Sequence, residues 1–235
     1  MTGMLPGEAT VRLTPELLRR GLPRPVGVGL RYSSDAGLPP LLPTEEQALG
    51  PRAVEKRRLA FALGRTAARD ALNELGIGAV AIGRGAAGEP LWPAGVVGAI
   101  SHAGDVAIAL VGRQEDYVGL GVDVEELSRG PSARAARLIC RPGEIEWVDI
   151  AAGTERLAMV FSAKEAVFKA VFPIEHVWLG FADAELSWRA ERGVFEARLL
   201  KSPGAHYPVG TILEVHCTLT PRQVVSTTFL RTLQA

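Results

Sequence analysis

The spacing of apolar residues changes along the chain and separates helical from extended segments. Between residues 52 and 75 apolar side chains recur at every fourth position, which predicts a long helix that ends at Gly76. Short apolar runs at 96–100, 106–111 and 117–124 follow, with glycine-containing turns between them, and they predict strands of a sheet. The sequence before residue 50 is rich in proline and glycine and is predicted to form strands and loops.

The second half of the chain repeats this order of a long helix and several strands. Helical spacing returns at 132–139 and 155–172, where Thr154 can cap the longer helix and Pro173 is expected to end it. Alternating apolar and polar positions then predict an antiparallel sheet, with strands at 181–188, 194–200, 211–219 and 224–230. We therefore predict an α+β fold of two similar lobes, residues 1–118 and 119–235.

Composition limits the kinds of partner. The 235 residues are 47% hydrophobic, enough to bury a core, and 26 basic side chains balance 26 acidic ones, so no global field attracts nucleic acid or an anionic membrane. Cys140 and Cys217 lack metal or redox spacing and are expected to be reduced structural thiols. No segment approaches a membrane span or a secretion signal, and we expect a cytoplasmic protein.

Two carboxylates close an apolar strand in the second lobe. Asp123 and Glu125 alternate with valines and therefore project from the same face of the strand. Carboxylates that repel one another at the end of a rigid strand suit Mg²⁺, which prefers hard oxygen ligands. On this pair alone a solvated acidic turn is the simpler interpretation, because no third ligand is adjacent.

A third carboxylate lies on the long helix of the second lobe. Glu165 and Lys169 are four residues apart and share a face, and bulky apolar residues around them indicate a buried edge rather than a routine surface ion pair. If Glu165 faces Asp123 and Glu125, the three form a metal site. Lys164 and Lys169 would then neutralise phosphate oxygens beside it, as phosphoryl-group chemistry requires.

Further cations occur in the first lobe. On the predicted helix Arg58 and Arg65 lie two turns apart, with Arg69 one turn further, so a basic stripe runs opposite the apolar face. Arg84 lies in a glycine-rich turn that a phosphate could approach closely, and His102 lies in a tight link between two strands. Such a stripe is usually a solvated face and a lone histidine is usually structural, so these residues become binding candidates only through their neighbours.

Taken together, these motifs resemble the 4'-phosphopantetheinyl transferases, in particular the Sfp-like group and its branch similar to enterobactin synthetase component D. The resemblance covers residues 57–181. The motifs, in chain order, are Gly85-Ala86-Ala87-Gly88-Glu89-Pro90-Leu91-Trp92-Pro93, Ser101-His102, Gly121-Val122-Asp123-Val124-Glu125, and Lys164-Glu165-Ala166 with Lys169. Each motif alone is weakly specific, whereas four in this order are specific.

The resemblance implies a monomer that binds coenzyme A in the cleft between its lobes and transfers the phosphopantetheine arm to a carrier-protein serine, releasing 3',5'-ADP. Its metal ligands would be Asp123, Glu125 and Glu165, with Mg²⁺ on the pyrophosphate. Glu165 and Lys169 would be catalytic, and coenzyme A would be contacted by six side chains: Arg58, Arg65, Arg84, His102, Lys164 and Lys169. Phe161 and Ala103 depart from the tryptophan and cysteine common among relatives, but no charged group is lost.

The implied partners are apo carrier proteins of fatty-acid, polyketide or nonribosomal-peptide synthases, including those of secondary metabolism and siderophore biosynthesis. A basic row at Arg134, Arg137 and Arg141 has helical spacing and is expected to help dock an acidic carrier. Two other interpretations remain open: a magnesium-dependent hydrolase of a nucleotide pyrophosphate such as coenzyme A, and a non-catalytic coenzyme A-binding module.

Overall fold

The computed structural model describes residues 12–19, 21–23, 25–35, 37–149, 154–204 and 207–232, and it confirms the α+β class. The helices are α1 (Pro15–Arg19), α2 (Pro43–Leu49), α3 (Glu55–Glu74), α4 (Ala136–Ile139), α5 (Pro142–Asp149) and α6 (Thr154–Glu175). The strands are β1 (Gly27–Tyr32), β2 (Gly83–Arg84), β3 (Pro90–Leu91), β4 (Val96–Ala103), β5 (Val106–Arg113), β6 (Tyr117–Glu126), β7 (Ala184–Arg189), β8 (Val194–Leu199), β9 (Ile212–Leu219) and β10 (Gln223–Arg231).

Two antiparallel sheets divide the longer strands between the halves of the chain. The first has the order β1-β5-β4, the second the order β6-β10-β9-β8-β7, and β2 and β3 form a separate short hairpin. The chain passes from the first sheet to the second between β5 and β6. This division supports a lobe boundary near residue 118, which we retain as a proposal.

The sheets pack against each other, and each is covered by one long helix. Along β5, Ile108 and Leu110 belong to the same buried cluster as Val122 and Val124 of β6, so these strands meet face to face. The intervening residues of β5, such as Ala109, join a second cluster with α3, while α6 packs on the outer face of the second sheet. The layer order is therefore α3, first sheet, second sheet, α6.

Glycines on one strand of each sheet let its helix approach closely. A Cβ built on any of these glycines would collide with a helix carbonyl oxygen, so a side chain there would push the helix away. The facing residues are Gly27 with Ala71, Gly29 with Ala67, Gly119 with Ala170, and Gly121 with Ala166. The same helix-on-strand unit thus occurs in both halves, as the repeated order of elements predicted.

Several predicted boundaries were wrong. The sequence before residue 50 contains the short helices α1 and α2 as well as β1, because Pro43 suits the first helical turn and Glu45 accepts a hydrogen bond from the Leu42 backbone N–H at 2.9 Å. Pro173 does not end α6, which continues to Glu175; the proline removes one backbone hydrogen bond of the last turns, but the remaining residues keep the helical conformation. Helix α5 was not predicted. In the described part of the chain no helix is long and apolar enough to span a bilayer.

Candidate active site

The carboxylates of β6 lie on the face that α6 covers. Leu120, Val122 and Val124 point into the core between the sheets, so Asp123 and Glu125 share the opposite face with the two glycines of β6. Because those glycines bring α6 close, Lys169 on α6 reaches Asp123 on the strand. The sequence of β6 therefore supplies both the carboxylates and the glycines that allow α6 to pack close to them.

Asp123 is nearly completely buried, and only one of its oxygens is bonded. Its Oδ1 lies 2.7 Å from Lys169 Nζ and accepts a hydrogen bond from Ser101 Oγ at 2.9 Å. Lys169 Nζ also donates to Ser101 Oγ at 2.9 Å, so three side chains form a closed triangle. Asp123 Oδ2 is buried, and no described residue offers it a hydrogen bond.

Glu125 and Glu165 contribute further negative charge. Burial and the neighbouring charge of Asp123 raise the pKa of Glu125 to about 7, and Glu165 adds to this effect. Burial also raises the pKa of Glu165, with Asp123 contributing and Lys169 opposing. The three acidic groups therefore interact electrostatically, although Glu165 lies on a different element from Asp123 and Glu125.

These residues could hold a divalent cation. Among the residues that the structure describes, no set of three or more His, Cys, Asp or Glu side chains converges closely enough to form a ready-made metal site. The donor set nevertheless fits a hard cation, because it consists of carboxylates, because the pKa values of two of them are raised by burial and negative neighbours, and because Asp123 Oδ2 is an orphaned buried oxygen.

Lys164 points away from this group. Its side chain is 2% exposed, and its ammonium donates to Glu144 Oε2 at 2.7 Å, to the Ile139 carbonyl at 2.9 Å and to the Phe181 carbonyl at 2.8 Å. Three acceptors use all three protons of the ammonium. Lys164 therefore has no proton left to donate to a phosphate, the contact that the motif predicted. Its hydrogen bonds connect α6 to the neighbouring elements instead.

A cationic cavity of about 480 Å³ is lined by residues of the first half of the chain. His102 reaches it from β4. Loss of contact with water around the imidazole, together with the charge of Lys169, lowers the pKa of His102. Arg84 and His102 were predicted as binding residues, whereas Lys56 and Arg57 were missed. The helical stripe could have included Arg57, which is one turn before Phe61, but sequence spacing alone favoured its neighbour Arg58.

Arg58 and Arg65 differ from their predicted role. Arg58 does not line the cavity, and its guanidinium pairs with Glu46 at 2.6 Å. Arg65 borders the cavity but is buried, and it donates to the carbonyls of Ile82 at 2.8 Å and Gly83 at 2.9 Å. Burial lowers the pKa of Arg65 to about 10. Its bonds anchor α3 to the β2 strand, which leaves Lys56, Arg57 and Arg84 as the accessible cations of the cavity, with His102 beside them as a further hydrogen-bonding group.

An apolar cavity of about 440 Å³ adjoins the cationic one and shares Gly88, Pro90 and Ile100 with it. Lys169 lines its wall, and the charge of Lys169 also acts on His102 of the cationic cavity. Aromatic side chains supply much of the remaining surface: Trp92, Phe168, Phe172 and Trp178. These two adjoining cavities, which together we call the cleft, could therefore accept an elongated molecule with an anionic end and a less polar end.

Comparisons with known proteins agree with the motifs. A family model described as the 4'-phosphopantetheinyl transferase N-terminal domain matches residues 45–112, and one described as the 4'-phosphopantetheinyl transferase superfamily matches residues 119–221. The 4'-phosphopantetheinyl transferase PptT of Mycobacterium tuberculosis is 37% identical over 183 residues, which cover 72% of this chain and 76% of that protein. The 4'-phosphopantetheinyl transferase Npt of Nocardia iowensis is 38% identical over 181 residues, covering 73% and 79%. A solved holo-[acyl-carrier-protein] synthase from Thermotoga maritima is 25% identical, with a TM-score of 0.40 over 50% of this chain and 66% of that one.

Proposed function

Because the chain belongs to the 4'-phosphopantetheinyl transferase family, we propose that it transfers the 4'-phosphopantetheine group of coenzyme A to a serine of an apo carrier protein, with Mg²⁺, releasing 3',5'-ADP. One observation carries this assignment: Lys169, which pairs with the half-bonded carboxylate of Asp123, lines the apolar cavity that adjoins the cationic one. If nucleotide and pantetheine occupied the two adjoining cavities, the pyrophosphate between them would lie within reach of Lys169.

Coenzyme A matches the cleft in charge and polarity. Its nucleotide end has phosphates that Lys56, Arg57, Arg84 and His102 can bind through charge-assisted hydrogen bonds. Its pantetheine arm is less polar and can enter the cavity lined by aromatic side chains. The pyrophosphate between these parts then lies beside Lys169.

Asp123, Glu125 and Glu165 would hold the magnesium ion. When bound, the ion neutralises pyrophosphate oxygens and so stabilises the charge that grows on the leaving group. The orphaned Oδ2 of Asp123 and the electrostatic cost of three neighbouring carboxylates support this donor set.

In the reaction, the carrier serine oxygen attacks the phosphorus that bears pantetheine, and the bond from that phosphorus to the bridging pyrophosphate oxygen breaks. Lys169 stabilises the negative charge on the departing 3',5'-ADP. Glu165, directly or through water, takes the serine proton as general base. The net result is one phosphodiester formed and one pyrophosphate bond broken.

Mass spectrometry of apo carrier proteins incubated with the enzyme, coenzyme A and Mg²⁺ tests the proposal. We expect the carrier to gain one phosphopantetheine group and 3',5'-ADP to appear in equal amount. Replacing Asp123 by Asn should abolish most of this gain in a folded protein. Release of free phosphopantetheine without carrier modification would instead identify a hydrolase of coenzyme A, and tight coenzyme A binding without either product would identify a non-catalytic module.

The basic row after β6 is our candidate for carrier docking. Arg134 and Arg137 are exposed, and Leu138 between them and α5 is 79% exposed, so the surface offers positive charge beside an apolar contact. Arg141 is partly committed, because it donates to the Ala182 carbonyl at 2.9 Å. This surface suits a small acidic helical carrier.

Charge reversal tests the docking surface. Arg134→Glu with Arg137→Glu should raise KM for the carrier roughly tenfold or more and leave KM for coenzyme A unchanged. Arg198→Glu is the matched control, since Arg198 is exposed on β8. An unchanged KM for the carrier, or a raised KM for coenzyme A, would reject the docking role.

A further inference from the structure

Ser101 lies where elements of the two halves of the chain meet. It belongs to β4 of the first sheet, and its hydroxyl contacts β6 and α6 of the second half. Its relative exposure is 6%, so solvent does not compete for its hydrogen bonds. The reaction described above uses Asp123 and Lys169 but leaves Ser101 without a role.

Every hydrogen-bonding position of the Ser101 hydroxyl is used. The hydroxyl donates its proton to Asp123 Oδ1, and Oγ accepts from Lys169 Nζ at 2.9 Å and from the Val124 backbone N–H at 3.3 Å. A hydroxyl has one proton and two lone pairs, so these three bonds complete its set. Such a group has nothing left with which to bind a substrate, but it can hold its neighbours in place.

The first half contains an ion pair, Arg31 with Asp70, at the place on strand and helix that Asp123 and Lys169 occupy in the second half. Comparison of the two pairs shows what the hydroxyl changes. In the first half Arg31 Nε lies 2.5 Å from Asp70 Oδ2 and Arg31 Nη2 lies 3.0 Å from Asp70 Oδ1, so the guanidinium occupies both oxygens. In the second half Ser101 and Lys169 both bind Asp123 Oδ1. The other oxygen of Asp123 stays free of described hydrogen-bond partners.

We propose that Ser101 is a positioning residue for the transfer reaction, whose hydroxyl holds Asp123 Oδ1 against Lys169 and thereby keeps Asp123 Oδ2 available to the divalent cation. The inference rests on the proposed function, because it assigns a residue to that reaction. Without the hydroxyl, Lys169 still neutralises Asp123, but the carboxylate can rotate and offer both oxygens to the ammonium. The first lobe thus acts on the acidic site of the second through one side chain.

Ser101→Ala tests this role with a readout that is independent of turnover. We expect the affinity for Mn²⁺, measured by electron paramagnetic resonance titration with coenzyme A present, to fall roughly tenfold, as loss of one hydrogen bond to a charged group predicts. The kcat should fall by a similar factor, while KM for coenzyme A changes less than about twofold. Ser162→Ala is the matched control, because Ser162 is also buried and its hydroxyl donates to the backbone carbonyl of Asp123 at 3.3 Å rather than to the carboxylate.

A second pair of variants keeps the test decisive if the alanine variant does not fold. Thr and Val have the same shape, and only Thr retains a hydroxyl, so Ser101→Thr should keep the Mn²⁺ affinity and Ser101→Val should lose it. Equal affinities in this pair, or an unchanged affinity and kcat in Ser101→Ala, overturn the proposal. A raised KM for coenzyme A with unchanged kcat also overturns it, because Ser101 would then be a substrate contact.

Failure of the proposed function has a different signature. If the unmodified enzyme transfers nothing to any carrier, the transferase assignment fails. A lower Mn²⁺ affinity of Ser101→Ala would still support the positioning of Asp123 in that case.

Discussion

The two halves of the molecule use the same scaffold with different side chains at its centre. In each, glycines on a strand let a long helix pack closely, and a charged pair joins that strand to that helix. The pair is Arg31 with Asp70 in the first half and Asp123 with Lys169 in the second, so the signs are exchanged. The exchange places a carboxylate on the strand only in the second half.

A buried glutamate supports the long helix in both halves. Glu45 pairs with Arg69 of α3 and accepts from the Ile82 N–H at 3.2 Å. Glu144 pairs with Lys164 of α6 and accepts from the Leu186 N–H at 2.6 Å. Each half therefore contains a buried ion pair with a structural role. The acidic cluster is particular to the second half, where Glu165 stands at the place that Thr66 occupies on α3.

Glu165→Gln gives the largest expected contrast. Removal of the base and of one acidic ligand should lower transfer on the order of 10²–10⁴-fold, with little change in the free energy of unfolding. Carrier modification followed by mass spectrometry measures the rate. Thr66→Val in the first half should leave transfer unchanged; a Glu165→Gln enzyme with a normal rate would falsify the catalytic assignment.

Lys164→Met and Arg69→Met should behave alike. Each leaves a buried glutamate without its cation, which costs about 3–5 kcal/mol of unfolding free energy. Denaturant titration measures this loss, and KM for coenzyme A should stay constant wherever the variants are folded. An increase of that KM in Lys164→Met alone would contradict this structural role and support the phosphate contact predicted from the motif.

Gly121→Ala and Gly29→Ala test the close approach of helix and strand. Both introduce a Cβ that meets a helix carbonyl oxygen and should destabilise the fold by about 1–3 kcal/mol. Only Gly121→Ala displaces α6 from Asp123, so only this variant should lose transfer beyond its loss of folded protein. Thermal unfolding and transfer rates at a temperature where both are folded separate the effects. Equal activity losses would contradict the division of roles.

Asp70→Asn should have the smallest effect. The Arg31–Asp70 pair is about one-third exposed, so its loss should cost only about 0.2–1 kcal/mol of unfolding free energy and leave transfer unchanged. Thermal denaturation and the carrier assay together check both parts. A large loss of activity would show that the first-half pair takes part in the reaction.

Local patterns predicted much of this protein. Apolar spacing located both long helices and the main strands, because the hydrophobic period of a helix or strand is set by residues that are close together in the sequence. Alternation along β6 also placed Asp123 and Glu125 on one face. The short helices α1, α2 and α5 were missed, since each depends on a cap or on a tertiary contact such as that between Glu144 and Lys164.

Side-chain direction was decided only by the tertiary structure. Arg57 and Arg58 are adjacent in sequence, yet one lines the cationic cavity and the other pairs with Glu46. Lys164 and Lys169 share a motif, yet only Lys169 reaches Asp123. The sequence alone determined which charges are present and which elements bear them. Which of those charges are buried, paired or left open to a ligand depended on how α3 and α6 pack, because a buried charge takes its partner from a different part of the chain.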